Sequence, residues 1–196
     1  MNQHSTVIAS RLLGLGAVAL MLGLVPAGFA KAAPNAGAKC TAAAVVVLTE
    51  AEKSDLTFVR EEEKVARDAY LYFYGVWNEV IFSNIAKSEQ THMNAIGTLL
   101  AKYGLPDPVV GLGVGQFSTP AFQALYDEVV ALGNASFIEA LSAGVLVEET
   151  DIADLTAALS ETKAKDLTTV YKNLQNGSFK HLAAFNTWLA LQDVGE

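Results

Sequence analysis

Helical spacing of apolar residues runs almost without interruption from Leu48 to the end of the chain, and it constrains the fold more than any other feature. Apolar side chains recur at alternating steps of three and four residues, as they do on one face of an α-helix. No stretch of this region alternates strictly between apolar and polar residues, as a half-buried strand would. The pattern therefore predicts an all-α domain.

Capping residues, glycines and prolines divide this region into four long helices and one short one. Thr49 with Glu52 forms a capping box at the first start, and Ser136 with Glu139 forms another. The expected ranges are about 49–74 and 80–103 for the first two long helices, 118–132 for the short helix, and 136–161 and 166–192 for the last two. A long connection that carries the short helix separates the second long helix from the third. This order predicts a ferritin-like four-helix bundle with one crossover.

The first 32 residues have the layout of a secretory signal peptide. Arg11 precedes an apolar run, Leu12–Leu24, which is followed by small residues. The run has 13 residues, whereas a helix that crosses a bilayer needs about 20. We therefore expect an exported protein, periplasmic or secreted and free of the membrane after cleavage. A flexible tail at 33–47 would then precede the bundle domain at 48–192.

The charge of the chain restricts its partners. The whole sequence has a formal charge of −8, and the leader contains two basic residues and no acidic one, so the remainder carries about −10. Nucleic-acid binding requires lysine and arginine side chains that neutralise phosphates. The composition therefore argues against nucleic acids and anionic membranes as partners, and it leaves homo-oligomer formation open.

Each long helix carries an ionisable residue on its apolar face. These residues are Glu63 on the first helix, Glu89 and His92 on the second, Glu148 on the third and His181 on the fourth. Burial of such groups costs several kcal/mol unless they are paired or bind a ligand. Both histidines outside the leader belong to this set, so all four helices direct potential metal ligands at one core.

The spacing of Glu89 and His92 suits metal binding. A Glu-x-x-His sequence places both side chains on one helical face, and a two-metal site in a bundle needs bridging carboxylates and a terminal imidazole for each ion. The sequence therefore predicts a metal site. A metal-free network in which the three glutamates pair with the two histidines and with Arg60 and Arg67 stays open as the alternative.

Four segments carry a resemblance to a known family. They are Arg60–Tyr70, Phe82–Met93, Val147–Leu155 and Gly177–His181. Together they resemble the domain-of-unknown-function 2202 family of the ferritin-like superfamily, over residues 48–189. The family lacks an established activity, so whether the chain is an enzyme stays open. The wider superfamily, rubrerythrin-like proteins included, implies a di-iron or related carboxylate-bridged site with oxygen or peroxide chemistry.

The resemblance implies that the five residues named above bind iron or another divalent metal. One position departs from the superfamily pattern, because Ser178 stands three residues before His181, where a glutamate is expected. The site would then hold one ion, or recruit Glu62, Glu149 or Asp151. By their charge, these three residues are otherwise expected on a solvated helix face.

Two tyrosines also fall on the apolar faces. The resemblance implies that Tyr70 and Tyr171 hydrogen-bond bridging carboxylates or take part in redox chemistry. Their residue type favours a simpler expectation, in which both rings fill the core and each hydroxyl meets a nearby acceptor.

Overall fold

The computed structural model describes residues 46–193, which form five α-helices and no β-strand. The helices are α1 (Glu50–Trp77), α2 (Val80–Lys102), α3 (Pro120–Gly133), α4 (Phe137–Glu161) and α5 (Lys165–Asp193). In this part of the chain no helix is long and apolar enough to cross a membrane. The predicted all-α class is thus confirmed for these residues. The predicted signal peptide at 1–32 and nearly all of the predicted tail lie outside them.

The four long helices pack in pairs. α1 lies along α2 and α4 lies along α5, and the two pairs meet through α1 with α4 and α2 with α5. The short helix α3 packs on α1 and α4. This arrangement is consistent with a four-helix bundle in which α3 belongs to the long connection between α2 and α4.

The predicted helix ends are correct within two residues, except the end of α1. Thr49 and Glu52 form the predicted capping box. The predicted end at Tyr74 is wrong, because α1 passes through Gly75 and ends at Trp77. Asn78 adopts the left-handed conformation with φ 55°, and its N–H donates to the Tyr74 carbonyl at 2.8 Å. Asparagine tolerates this conformation better than most residues, so it replaces glycine as the stop signal.

The connection between α2 and α3 is fastened to one face of α1. Arg60 donates two hydrogen bonds to the carboxylate of Asp107, at 3.0 and 2.8 Å. Lys64 is fully buried, donates to the Gly113 carbonyl at 2.7 Å and forms a buried ion pair with Asp68. These contacts account for the buried charges on this face of α1.

Two apolar clusters fill the interior, and every long helix contributes to both. The first cluster is rich in aromatic rings, including Tyr70, Phe82 and Phe185. The second consists mainly of aliphatic side chains such as Leu56 and Leu155. Each long helix contributes one segment to the first cluster and another segment to the second. Buried polar residues lie between these two segments of the helix. A polar layer therefore crosses the bundle between two apolar regions.

Candidate metal centre

Eight buried polar side chains from the four long helices form this layer. They are Glu62, Glu63, Glu89, His92, Glu148, Asp151, Ser178 and His181. The five predicted ligands all belong to it, and none of them is more than 8% exposed. The structure thus brings these five residues together in one buried layer.

One half of the layer joins α1 and α2. The Nδ1 atom of His92 lies 2.7 Å from Oε2 of Glu89 and 3.2 Å from Oε2 of Glu63. One ligand atom from each of these three residues lies within 4.8 Å of the other two. The three atoms are close enough to bind one metal ion.

The other half joins α2 to α4 and α5. The Nδ1 atom of His181 lies 2.7 Å from Oε1 of Glu89 and 3.4 Å from Oε2 of Glu148. One ligand atom from each of Glu89, Glu148 and His181 lies within 4.8 Å of the other two, so these residues form a second group. Glu89 belongs to both groups and faces one imidazole with each of its oxygens. The two rings lie 5.6 Å apart between centroids at an interplanar angle of 30°, on either side of this shared carboxylate.

Several atoms of the layer have no hydrogen-bond partner among the described residues. They include Oε1 of Glu89, Nδ1 of His181 and Oε1 of Glu63, all buried. The first two atoms are only 2.7 Å apart, but they are not directed at each other as a hydrogen bond requires. Buried polar atoms without partners are rare in folded proteins and require an explanation. A metal ion that accepts lone pairs from both atoms would supply one.

Neighbouring groups fix the orientation of the candidate ligands. Nε2 of His181 lies 2.9 Å from the hydroxyl of Ser88, which leaves Nδ1 facing the carboxylates. The hydroxyl of Tyr70 donates to Oε1 of Glu148 at 2.7 Å. The ring of His92 packs against the backbone of α5 at Gly177, where a Cβ atom would come within 2.5 Å of Nε2.

The charges of the layer shift the pKa values of the shared glutamate and both histidines. Burial favours the neutral ring of His92, but hydrogen bonds and charge from Glu63 and Glu89 outweigh burial and raise its pKa to about 11. Against the same effect of burial, Glu148 and Glu89 raise the pKa of His181 to about 9. Burial acts to raise the pKa of Glu89, yet the two histidines lower it to about 2. Without a metal ion, Glu89 is therefore a carboxylate between two imidazolium rings.

The other carboxyl groups respond in the opposite direction. Burial, reinforced by the charge of Glu89, raises the pKa of Glu148 to about 8. Burial, reinforced by the charge of Asp151, raises the pKa of Glu63 well above its usual value. The layer thus contains more acidic groups than its two histidines can neutralise, and it must take up protons or another cation.

The nearby arginines do not pair with Glu63, as the metal-free alternative would require. Arg60 is occupied by Asp107, as described above. Arg67 donates to Asp68 at 2.7 Å and to the side chain of Gln90 at 2.6 Å. The carboxylate of Glu63 therefore has only His92 as a basic partner among the contacts of the described residues.

Two of the three acidic residues expected on a solvated face are buried instead. Glu62 and Asp151 are each 5% exposed, so that expectation is wrong for them, whereas Glu149 is exposed as expected. On α4 the inward face passes through Glu148, Asp151 and Leu155, and Ile152 is only half-buried. Asp151 therefore lies on the inward face of α4 at a position that helical spacing allows, although the charged residues around it suggested a solvated face.

The two tyrosines have different roles. Tyr70 fills the aromatic cluster and also hydrogen-bonds Glu148, so core filling describes only part of its contribution. Tyr171 packs in the aliphatic cluster, and its hydroxyl has no hydrogen-bond partner among the described residues. Burial, together with the charges of Asp55 and Glu52, raises the pKa of Tyr171. The prediction of core filling is therefore correct for the ring of Tyr171, whereas the predicted acceptor for its hydroxyl is absent among the described residues.

Sequence reasoning did not identify Ser88 and Gly177 as parts of the centre. Ser88 directly precedes Glu89, but a serine within a helix is too common to signal a contact with His181. Gly177 did offer a signal, because a glycine inside a long helix costs about 1 kcal/mol relative to alanine and needs a reason. The reason is the close approach of the His92 ring.

The donor set fits a divalent first-row metal. Carboxylate oxygens and imidazole nitrogens are ligands that iron, manganese, cobalt and zinc accept in proteins. Oε1 of Glu89 and Nδ1 of His181 lie 2.7 Å apart and belong to one of the two groups whose ligand atoms are close enough to hold such an ion. The residues present are thus compatible with a bound metal.

Comparison with known proteins finds uncharacterized relatives. "Uncharacterized protein MJ0754" of Methanocaldococcus jannaschii is 48% identical over 138 residues, which are 70% of this chain and 75% of that protein. The crystal structure of hypothetical protein MJ0754 from Methanococcus jannaschii matches with a TM-score of 0.74 and 45% identity, over 76% of this chain and 85% of that one. The family model described as "Uncharacterized protein domain (DUF2202)" matches residues 52–194. The chain therefore belongs to the DUF2202 family.

Proposed function

We propose that this protein is a ferritin-like metal-binding protein that holds two first-row divalent ions, iron in the first place, in the polar layer of its bundle. The position of Glu89 supports this proposal most directly, because its two oxygens face the imidazoles of two separate ligand groups. One carboxylate shared by two such groups is typical of bundle proteins with two metal ions.

Each ion would have its own terminal ligands. Glu63 and His92 would hold one ion, Glu148 and His181 would hold the other, and Glu89 would bind both. Tyr70 keeps Glu148 in place through its hydroxyl, and Ser88 does the same for His181. Such outer contacts tune metal affinity by fixing the ligands before the ion arrives.

Iron bound with an open coordination position would supply electrons for the reduction of oxygen or peroxide. The chain's own contribution is to bury the centre between two apolar clusters, which limits the access of water. We further propose that the protein is exported and acts in the periplasm or outside the cell. The signal-peptide pattern of residues 1–32 supports this location.

A metal-free structural network is the second candidate function. The hydrogen bond of 3.2 Å between Nδ1 of His92 and Oε2 of Glu63 favours it, together with the raised pKa values of both histidines. In this case two imidazolium rings would neutralise part of the buried negative charge. The network would link the helices without any ligand.

Elemental analysis after anaerobic loading with Fe²⁺ and removal of the excess separates the two candidates. The wild-type protein is expected to retain two ions per chain, as a shared carboxylate implies. Glu89→Gln should lose both, because this side chain belongs to both groups. Glu149→Gln is the matched control, since Glu149 is an exposed carboxylate on the surface of α4. This control should retain both ions.

Thermal unfolding of the same samples, with and without a chelator, adds a readout that does not depend on retained iron. A metal that binds only the folded state stabilises it by mass action, by about 2.7 kcal/mol at a free concentration of 100 times Kd. The metal-free network predicts no iron in any sample and no effect of the chelator. That result would overturn the proposal.

A further inference from the structure

The two halves of the centre are similar but not equivalent. On α2, the carboxylate of Glu89 stands three residues before His92. At the corresponding position on α5, three residues before His181, stands Ser178, which is buried with 1% exposure. One helix therefore contributes a carboxylate and an imidazole to the layer, and the other contributes a hydroxyl and an imidazole.

The hydroxyl of Ser178 leads to another carboxylate. It donates to Oδ2 of Asp151 at 2.5 Å, and it lies 3.0 Å from the carbonyl oxygen of Leu174. Asp151 lies on α4, three residues after Glu148, and therefore on the same face of that helix. A carboxylate thus occupies the space beside Ser178, although it comes from a neighbouring helix.

Asp151 also has an oxygen that nothing in the described part of the chain satisfies. Its side chain is 5% exposed, and Oδ1 is buried without a hydrogen-bond partner. The charged groups that act on Asp151 include Glu89 and His92, and Asp151 is the charge with the largest effect on Glu63. The charge of Asp151 therefore acts on the first ligand group.

The charge balance of a loaded centre also favours a further carboxylate ligand. Two divalent ions carry four positive charges, whereas Glu63, Glu89 and Glu148 carry three negative charges and metal-bound imidazoles are neutral. One more carboxylate would make the loaded centre neutral, which matters because a net charge is costly in a buried site. The layer contains two further buried carboxyl groups, Glu62 and Asp151, and of these Asp151 is the one that hydrogen-bonds Ser178 on α5.

We propose that Asp151, held in position by Ser178, is the fourth carboxylate of the metal centre and takes the place of the one that α5 lacks. This inference rests on the proposed function. It assigns Ser178 a positioning role, since its hydroxyl acts on the metal through Asp151. A purely structural role would instead make the pair a simple link between α4 and α5.

Calorimetric titration of the metal-free protein with Co²⁺ tests the inference. The wild-type protein should bind two ions. Asp151→Asn, which has nearly the same shape, should bind one ion, or bind the second at least a hundredfold more weakly. Ser178→Ala should still bind two, with affinity reduced about tenfold, as expected when an outer hydrogen bond to a ligand is lost. Glu149→Gln is the control, because Glu149 is an exposed carboxylate of the same helix, and it should bind like the wild type.

Thermal unfolding of the metal-free samples supplies a second readout. Asp151→Asn removes a negative charge from a buried group of carboxylates, so the metal-free variant should melt at the same temperature as the wild type or higher. If Asp151→Asn melts lower and binds two Co²⁺ ions with wild-type affinity, Asp151 is structural and the inference fails. A wild-type protein that binds no Co²⁺ would instead overturn the proposed function itself.

Discussion

At the scale of single residues, Glu89 is the residue that links the two halves of the candidate centre. Its oxygens lie 2.7 Å from the Nδ1 atoms of His92 and His181, and the carboxylate is 2% exposed. An isolated buried carboxylate would be protonated, but the two histidines keep Glu89 charged. In the proposed function, two metal ions would take the places of these two protons.

Gly177 should be essential for metal affinity although it has no side chain. In Gly177→Ala the new methyl group would overlap Nε2 of His92 and displace the ring. We expect the affinity for Co²⁺ in the group that contains His92 to fall at least tenfold, measured by calorimetric titration.

Gly75→Ala provides the matched control for this substitution. Gly75 also lies inside a long helix, and a Cβ atom there would have no neighbour within 4 Å. This variant should leave metal binding unchanged and raise the free energy of unfolding by up to about 1 kcal/mol, because alanine is the better helix former. Equal metal affinities for the two variants would contradict the role assigned to Gly177.

The sequence identified five of the buried residues because glutamate and histidine stand out against an apolar face. It named Asp151 and Glu62 only as residues that the site could recruit, on the same footing as Glu149, because they lie within runs of charged residues where the inward position is ambiguous by one residue. Glu62 and Glu63 are both buried, so burial alone does not decide which of the two carboxylates belongs to the candidate site. Only the packing of α4 against α1 and α5 distinguishes these positions.

At the scale of helices, α1 carries two sets of buried charges with separate tasks. Glu61 accepts hydrogen bonds from the backbone and hydroxyl of Ser118, at 3.0 and 2.7 Å, so it belongs with Lys64 and Asp68 on the face that holds the crossover. Glu62 and Glu63 lie in the polar layer. One charged stretch of sequence therefore serves both the fold and the candidate site, which sequence spacing alone could not separate.

Asp68→Ala tests the structural half of this division. Asp68 is fully buried and accepts hydrogen bonds from Lys64, Arg67 and the backbone N–H of Gly115. Its removal leaves the buried ammonium of Lys64 without its carboxylate, which typically costs about 3–5 kcal/mol. Denaturant unfolding should show a loss of this size, and Co²⁺ stoichiometry should not change at temperatures where the variant is folded. A loss below about 1 kcal/mol would show that the pair is not an effective link.

Most helix bounds were predictable because capping boxes, glycines and prolines act locally. The end of α1 was not predictable in this way. The helix continues through Gly75, a residue type that often ends helices, and it ends before Asn78, which is a weaker signal for a helix end. The crossover was recognisable from its glycines and prolines. Its attachment to α1 through Asp107 and Gly113 depends on contacts between residues almost fifty positions apart, which sequence pattern does not reveal.

At the scale of the whole molecule, the apolar packing and the candidate site occupy different layers of the bundle. Two apolar clusters provide the packing, and the polar layer between them contains several of the buried groups that lack partners. The layer is costly for a protein without a ligand, since unpaired buried polar groups destabilise the folded state. Binding of a cation would remove much of that cost.

Metal binding should release protons and strengthen as the pH rises. In the metal-free state the pKa values of His92 and His181 are raised to about 11 and about 9, so both rings hold protons at pH 7 that a metal ion must displace. Each released proton changes the affinity by about tenfold per pH unit in this range. Calorimetric titration with Co²⁺ at pH 6, 7 and 8, in buffers of different ionisation enthalpy, measures both quantities. An affinity that is independent of pH would contradict the assignment of these histidines as ligands.

The most direct test of the central claim is an anomalous difference map from crystals of the purified protein grown with Co²⁺. Two peaks are expected in the polar layer, about 3.5–4 Å apart as in other two-metal sites. One peak should lie beside Glu63 and His92, the other beside Glu148 and His181, with Glu89 between them. A map without peaks in the layer, or with peaks only at surface carboxylates, would contradict the account and leave the metal-free network as the function of these residues.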